Sequence, residues 1–240
     1  MAGAQERDLE RFGERLETAL GANLVAAVLY GSAARGTYVK GRSDFNVLVI
    51  VRDASAAALG PVAATVADWT KAGEPPPLIF SEAEWSASAD VFPIEIEDMR
   101  EAHRLLRGRD VFAGLTTRRE DLRQELEREV RGKLLRLRTE YAAAAGDGKA
   151  LGKLLLASAS TFLTLLRATL RLAGRVPPAE PAALVEAAAE VAGMDAGAFG
   201  WIVGRLAGQA LPPLEPFDPI GARYVDAIER LVRFVDETRV

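Results

Sequence analysis

Gly31-Ser32, Ser43-Asp44 and Asn46 are the residues whose types and spacing could do chemistry together. Gly31-Ser32 ends one apolar run, "NLVAAVLY" (23–30), and Ser43-Asp44 opens a second, "FNVLVIV" (45–51). A glycine leaves backbone N–H groups and a neighbouring hydroxyl free to come close to a phosphate. A helix begun by "SAARG" would aim its positive end at the same anion. If the second run is a strand, Asp44 and Asn46 share one of its faces, because side chains alternate. A hard cation such as Mg²⁺ takes only one or two carboxylates and completes its shell with phosphate oxygens and water, which this arrangement can supply. Asn is disfavoured in strands, so Asn46 beside a β-branched run calls for a reason. Arg35, Lys40 and Arg42 lie in the intervening loop, where they could steer a triphosphate or simply be solvated.

Two textures of sequence must position these residues, and they separate near residue 115. In the first, Leu9, Phe12, Leu16 and Leu20 recur at helical spacing among charges. The runs 23–30 and 45–51 read as strands buried on both faces. "ASAAALGPVAATVADWTKAG" (54–73) reads as a helix interrupted or started near Pro61, "PPPLIFSE" (75–82) as a strand, and "EAEWSASAD" as a short helix. "FPIEIEDM" (92–99) alternates, with Ile94 and Ile96 on one side and Glu95 and Glu97 on the other, and is expected to be another strand. From Thr116 onward the chain reads as helix after helix. Leu122, Leu126, Val130, Leu134, Leu137 and Tyr141 form one apolar stripe that stops near Gly146. "KALGKLLLASASTFLTLLRATLRLAG" is apolar almost all round and belongs at a bundle centre. Three further helices follow "RVPPAEP". The expectation is an α+β protein: a mixed sheet with helices over 1–115, then an all-helical bundle over 116–240.

Composition narrows the chemistry. The chain of 240 residues is 49% hydrophobic and 27% charged, ordinary for a globular protein. With no cysteine, thiol catalysis, disulfides and zinc-thiolate sites are excluded, and one histidine, His103, cannot build a histidine-rich metal site. A net charge of −4 disfavours a long nucleic acid as partner. The charged N-terminal pattern is not that of a signal peptide, and "LLLASASTFLTLL" (154–166) is too short to span a bilayer. A cytoplasmic location with no membrane partner is expected.

Gly31-Ser32, the loop and Asp44-x-Asn46 resemble the signature of the nucleotidyltransferase superfamily related to DNA polymerase beta. Within it they resemble the bacterial aminoglycoside adenylyltransferases, where a helical domain follows the sheet domain. The resemblance implies that Gly31 and Ser32 hold the β- and γ-phosphates of ATP or another NTP, with Arg42 and Ser43 beside them. It implies that Asp44 ligates Mg²⁺ and that Asn46 stands where a second Asp ligand is expected. A third carboxylate would fall on "FPIEIEDM", with Glu95 preferred and Glu97 second, as metal ligand or as base for an attacking hydroxyl. Asp44 and Glu95 would then be the catalytic pair. The implied reaction moves a nucleoside monophosphate to a hydroxyl of a small molecule, such as an aminoglycoside, or of a protein.

Asn46 departs from that signature. A carboxamide keeps a neutral oxygen but removes one negative charge, and Asp with Asn does serve paired Mg²⁺ in protein kinases. Weak catalysis and a catalytically impaired nucleotide-binding or antitoxin-like regulatory module are therefore both open. A third reading makes the apolar second half a dimerisation bundle in a homodimer. The bland reading of Glu95 and Glu97 is a strand face in water. Trp85 and Trp201 read as packing residues.

Overall fold

The run Leu24–Tyr30 forms strand β1 and Asn46–Val51 forms β2, paired antiparallel with Leu29 opposite Val47 and Tyr30 opposite Asn46. The computed structural model describes residues 3–38 and 43–240. The chain divides into two units, Met1–Thr117 and Arg118–Val240. In the first, β3 (Leu78–Ser81) runs parallel to β2 and β4 (His103–Gly108) antiparallel to β1. The resulting order, β3-β2-β1-β4, is a mixed sheet of the expected α+β kind.

Alternation sorts the central strands onto two cores. Ala27 and Leu29 of β1 and Val47, Val49 and Val51 of β2 pack with Phe45 against Leu9, Phe12, Leu16 and Leu20 of helix α1 (Gly3–Leu20). Beyond β1, a single turn α2 (Ser32–Arg35) contributes Ala33 to this side. The segment 56–71 is broken as Pro61 predicts: α3 (Ala56–Leu59), a 3-10 turn over Gly60–Val62, then α4 (Ala63–Lys71). Trp69 of α4 stacks on Phe12, with ring centroids 4.0 Å apart, and donates its indole N–H to the Pro75 carbonyl at 2.9 Å. On the opposite face Ala26, Val28, Leu48 and Ile50 pack on Trp85 of α5 (Glu82–Ser86) and on Ile96 and Met99 of α6 (Pro93–Glu101). A reciprocal pair of hydrogen bonds between Ser81 and Glu84 starts α5.

The segment "FPIEIEDM" is the main correction to the sequence reading: it is helix α6, not a strand. Its apolar alternation lasts only four residues. Extending the window gives Pro93, Ile96 and Met99 at spacing three, all buried, and Pro at the first helical position is pre-set for a helix. The strand expected there comes later, as β4. Its Arg104 and Arg107 hid it, because an edge strand carries charge where a central strand carries Val or Ile. Both arginines lie against α1, Arg104 on Glu6 at 2.5 Å and Arg107 on Glu10, Glu14 and Glu17 at 3.1, 3.6 and 3.3 Å.

The second unit is helical among its described residues. It contains α7 (Arg119–Ala144), α8 (Gly148–Leu172), α9 (Pro181–Ala192), α10 (Gly200–Leu206) and α11 (Pro219–Glu237). The α7 stripe Leu122, Leu126, Val130, Leu134 and Leu137 is buried as its spacing requires. Asp147 caps α8 by accepting from the N–H groups of Lys149 and Ala150 at 2.8 and 3.2 Å. By length and composition α8 could cross a membrane. Its Leu151, Leu155, Phe162, Leu166 and Leu170 nevertheless lie inside the bundle, none more than 2% exposed. Tyr224 of α11 is fully buried, its hydroxyl 3.0 Å from Ser158 Oγ, and burial pushes its phenol pKa up.

Candidate functional site

Gly31 begins the site because no other residue fits its backbone. Its φ of 78° and ψ of −151° lie in a region that is essentially glycine's alone. A Cβ at Gly31 would stand 3.2 Å from Asn46 Nδ2. The turn and the start of β2 are therefore in direct contact. α2 is a single turn closed by Arg35 N–H to the Gly31 carbonyl at 3.0 Å. So short a helix has little macrodipole, and the expected helix-end attraction reduces to the N–H groups of one turn and the Ser32 hydroxyl. Ser32 is half-buried at the head of that turn.

Phe45 aims its neighbours. Its ring is 2% exposed, stacked on Tyr38 with centroids 4.9 Å apart and tilted against Trp69 at 6.4 Å. Its N–H donates to Glu74 Oε2 at 2.7 Å. With residue 45 pinned into the α1 side, Asn46 at the start of β2 faces the other side, the side of Tyr30, Leu48 and α6. Asp44 lies just before β2 rather than within it, and it is exposed. Asn46, the first residue of β2, is half-buried with Nδ2 toward Gly31, which leaves its oxygen on the other edge of the amide. Ser43 is half-buried beside them. Arg42 and Lys40 lie outside the described residues.

Tyr30 links Glu95 to this end of the sheet through its charge. It stands opposite Asn46 on one side and His103 on the other, and it packs on the α6 core. Burial, and after it the negative charge of Glu95, pushes its phenol up to about 12. Glu95, exposed in the first turn of α6, is thus close enough to Tyr30 for its charge to be felt. Glu97 is engaged elsewhere, with Arg100 at 2.6 Å and with the Thr117 hydroxyl. Both acids come from a helix rather than from a strand. His103 is structural: Nδ1 lies 3.1 Å from the Met99 carbonyl and the ring sits 4.4 Å from Phe112.

Arg35 does not act as a loop cation. Its side chain is only 4% exposed and is held by Asp98 at 2.9 Å and Glu101 at 3.0 Å. Tyr30, Glu74, Asp98 and Glu101 are the members of this neighbourhood that sequence reasoning missed. Tyr30 alone had a local signal, as the polar end of an apolar run. Trp85 and Trp201 are packing residues, their indole N–H groups donating to Val111 and Pro212 carbonyls at 2.9 and 3.0 Å.

The donors fit one kind of metal. No group of three His, Asp or Glu side chains able to hold an ion occurs among the described residues. One exposed carboxylate, Asp44, and the Asn46 amide oxygen beside the Gly31 turn are the kind of donors that Mg²⁺ carrying its own phosphate ligands would take. Glu95 could add a second carboxylate.

No protein-family model matches the chain, and no curated protein matches it. Among solved structures it is similar to a spectinomycin adenyltransferase from Enterococcus faecialis, solved with ATP and spectinomycin. The match has a TM-score of 0.58 at 14% identity, over 97% of this chain and 99% of the other. At that identity the likeness is one of fold, and it takes in the sheet unit and the helical unit alike. The chain has an α+β fold similar to that of this adenyltransferase.

Proposed function

We propose that this protein binds a magnesium–nucleotide complex, ATP first among candidates, and transfers its nucleoside monophosphate to a hydroxyl of a small molecule. One observation supports the reading: the glycine-only turn at Gly31 stands against Asn46 at the end of the β1–β2 ladder, with Ser32 next to the one and Asp44 two positions before the other in the chain. The likeness of fold to an enzyme solved with ATP and spectinomycin supports the class of reaction and of acceptor.

In this reading the N–H groups of the α2 turn and the Ser32 hydroxyl hold the β- and γ-phosphates, with Ser43 beside them. Mg²⁺ supplies charge neutralisation of the phosphates, held by Asp44 and the Asn46 oxygen, with Glu95 able to join. Glu95 also takes the proton of the acceptor hydroxyl as that oxygen bonds to the α-phosphorus. The α–β anhydride bond breaks, and pyrophosphate leaves. A base positioned at the reacting group contributes roughly 10²–10⁴-fold.

Asn46 favours a second reading, in which the nucleotide is held without turnover. The test follows thermal stability and pyrophosphate release with each of the four NTPs, Mg²⁺ and a panel of aminoglycoside and related acceptors. Stabilisation with pyrophosphate release supports the transferase. Stabilisation without release for any acceptor supports the binding module. No response to any nucleotide removes both.

A further inference from the structure

Helix α6 carries three acids at spacing three, Glu95, Asp98 and Glu101, so they form one stripe along it. Two of them are committed to Arg35, the last residue of the phosphate-side turn. Arg35 also donates to the backbone carbonyl of Asp98 at 3.4 Å. Asp98 and Glu101 side chains are 15% and 27% exposed against 4% for the arginine. The contact joins residues 63 and 66 positions apart in sequence. A one-turn helix is not stable by itself, since the first turn costs more order than it returns. The turn is thus held by Gly31 at one end and by this clamp at the other. The same clamp sets the rotation of α6 about its axis, because two points one turn apart on a helix leave it no freedom to roll. A buried arginine between carboxylates adds little net stability compared with apolar packing, so stability alone is a poor account of it.

We propose that Arg35 is a positioning residue: by gripping Asp98 and Glu101 it holds the Gly31-Ser32 turn and Glu95 in one fixed geometry, so that phosphate binding and the third acid act together. The proposal rests on the nucleotide-site reading above. Arg35 touches neither nucleotide nor metal. Its effect is on where Glu95 stands relative to the turn.

Titration calorimetry with ATP, once with Mg²⁺ and once with EDTA, separates this from a merely structural role. The wild-type protein is expected to bind Mg·ATP at least about tenfold more tightly than metal-free ATP. In Arg35→Gln that ratio is expected to fall to about twofold, and Arg35→Lys, which keeps the charge, is expected to restore most of it. Loss of fold alone lowers the active fraction without changing the metal dependence of the affinity. Should Arg35→Gln not fold because two acids are left facing each other, the triple variant Arg35→Gln, Asp98→Asn, Glu101→Gln removes both sides of the clamp and is read in the same way. A folded variant with the wild-type ratio overturns the positioning role and leaves the nucleotide site standing. A triple variant that also fails to fold marks the cluster as structural and overturns the proposal. Wild-type protein that binds no ATP under either condition removes the nucleotide reading, and this proposal with it.

Discussion

The two faces of the sheet are made from the same central strands, yet they end differently at the Tyr30–Asn46 rung. On the α1 side the apolar series runs to its limit, through Leu29 and Val47 to Phe45, and α1 and α4 cover it. On the α6 side Val28 and Leu48 are the last apolar pair, and the next rung is Tyr30 opposite Asn46 with Asp44 beyond. One face is closed by aromatic stacking. The other opens onto groups able to meet charge. Side-chain parity lets Phe45 anchor the start of β2 in one core while Asn46 faces the other side.

That comparison can be broken from either side. The largest effect is expected on the closed face, where Trp69→Ala removes the stack on Phe12 and a partly buried hydrogen bond. Denaturant unfolding should show a loss of about 3–5 kcal/mol, with the nucleotide affinity of the protein that remains folded unchanged. Next is Gly31→Ala, which forces a side chain into a backbone region closed to it and toward Asn46. It should cost about 1–3 kcal/mol in the same assay and weaken nucleotide binding as well.

The open face also has a pH signature. The folded-state pKa of Tyr30 is pushed up to about 12 from 10.0. The folded protein therefore holds a proton that the unfolded chain gives up first. The associated stability is fully present below pH 10 and is lost as pH rises from about 10 to about 12, by an amount on the order of 2–3 kcal/mol. Tyr30→Phe should flatten that limb of the stability curve. Glu95→Gln should lower the phenol pKa, read by phenolate absorbance against Tyr30→Phe; an unchanged pKa would mean that the acid is not where the structure puts it. The smallest effect is expected from Asn46→Asp, which restores a charge to the open face. It should tighten Mg²⁺-dependent nucleotide binding about tenfold, or about 1.4 kcal/mol.

Much of this was legible because burial writes itself into sequence at short range. The α1 stripe, the strands around Gly31 and Asn46, the break at Pro61 and the long α7 pattern each follow from apolar spacing within one element. α6 was misread because four alternating residues fit a strand and a buried helical turn equally well. The strand β4 was missed because Arg104 and Arg107 find their partners about a hundred positions upstream, on α1. The same limit applies to the site. Asp44 and Asn46 could be paired from their spacing, whereas Glu74 holding Phe45 and Asp98 with Glu101 holding Arg35 are contacts that only the folded chain creates.

Calorimetric titration of Mg·ATP into wild-type protein and into Asp44→Ala tests most directly whether the open face holds a metal-bound nucleotide. Asp44 is exposed, so its removal should change stability by no more than about 0.5 kcal/mol while abolishing the magnesium-dependent part of the binding. Equal, magnesium-dependent affinity in both proteins would contradict it.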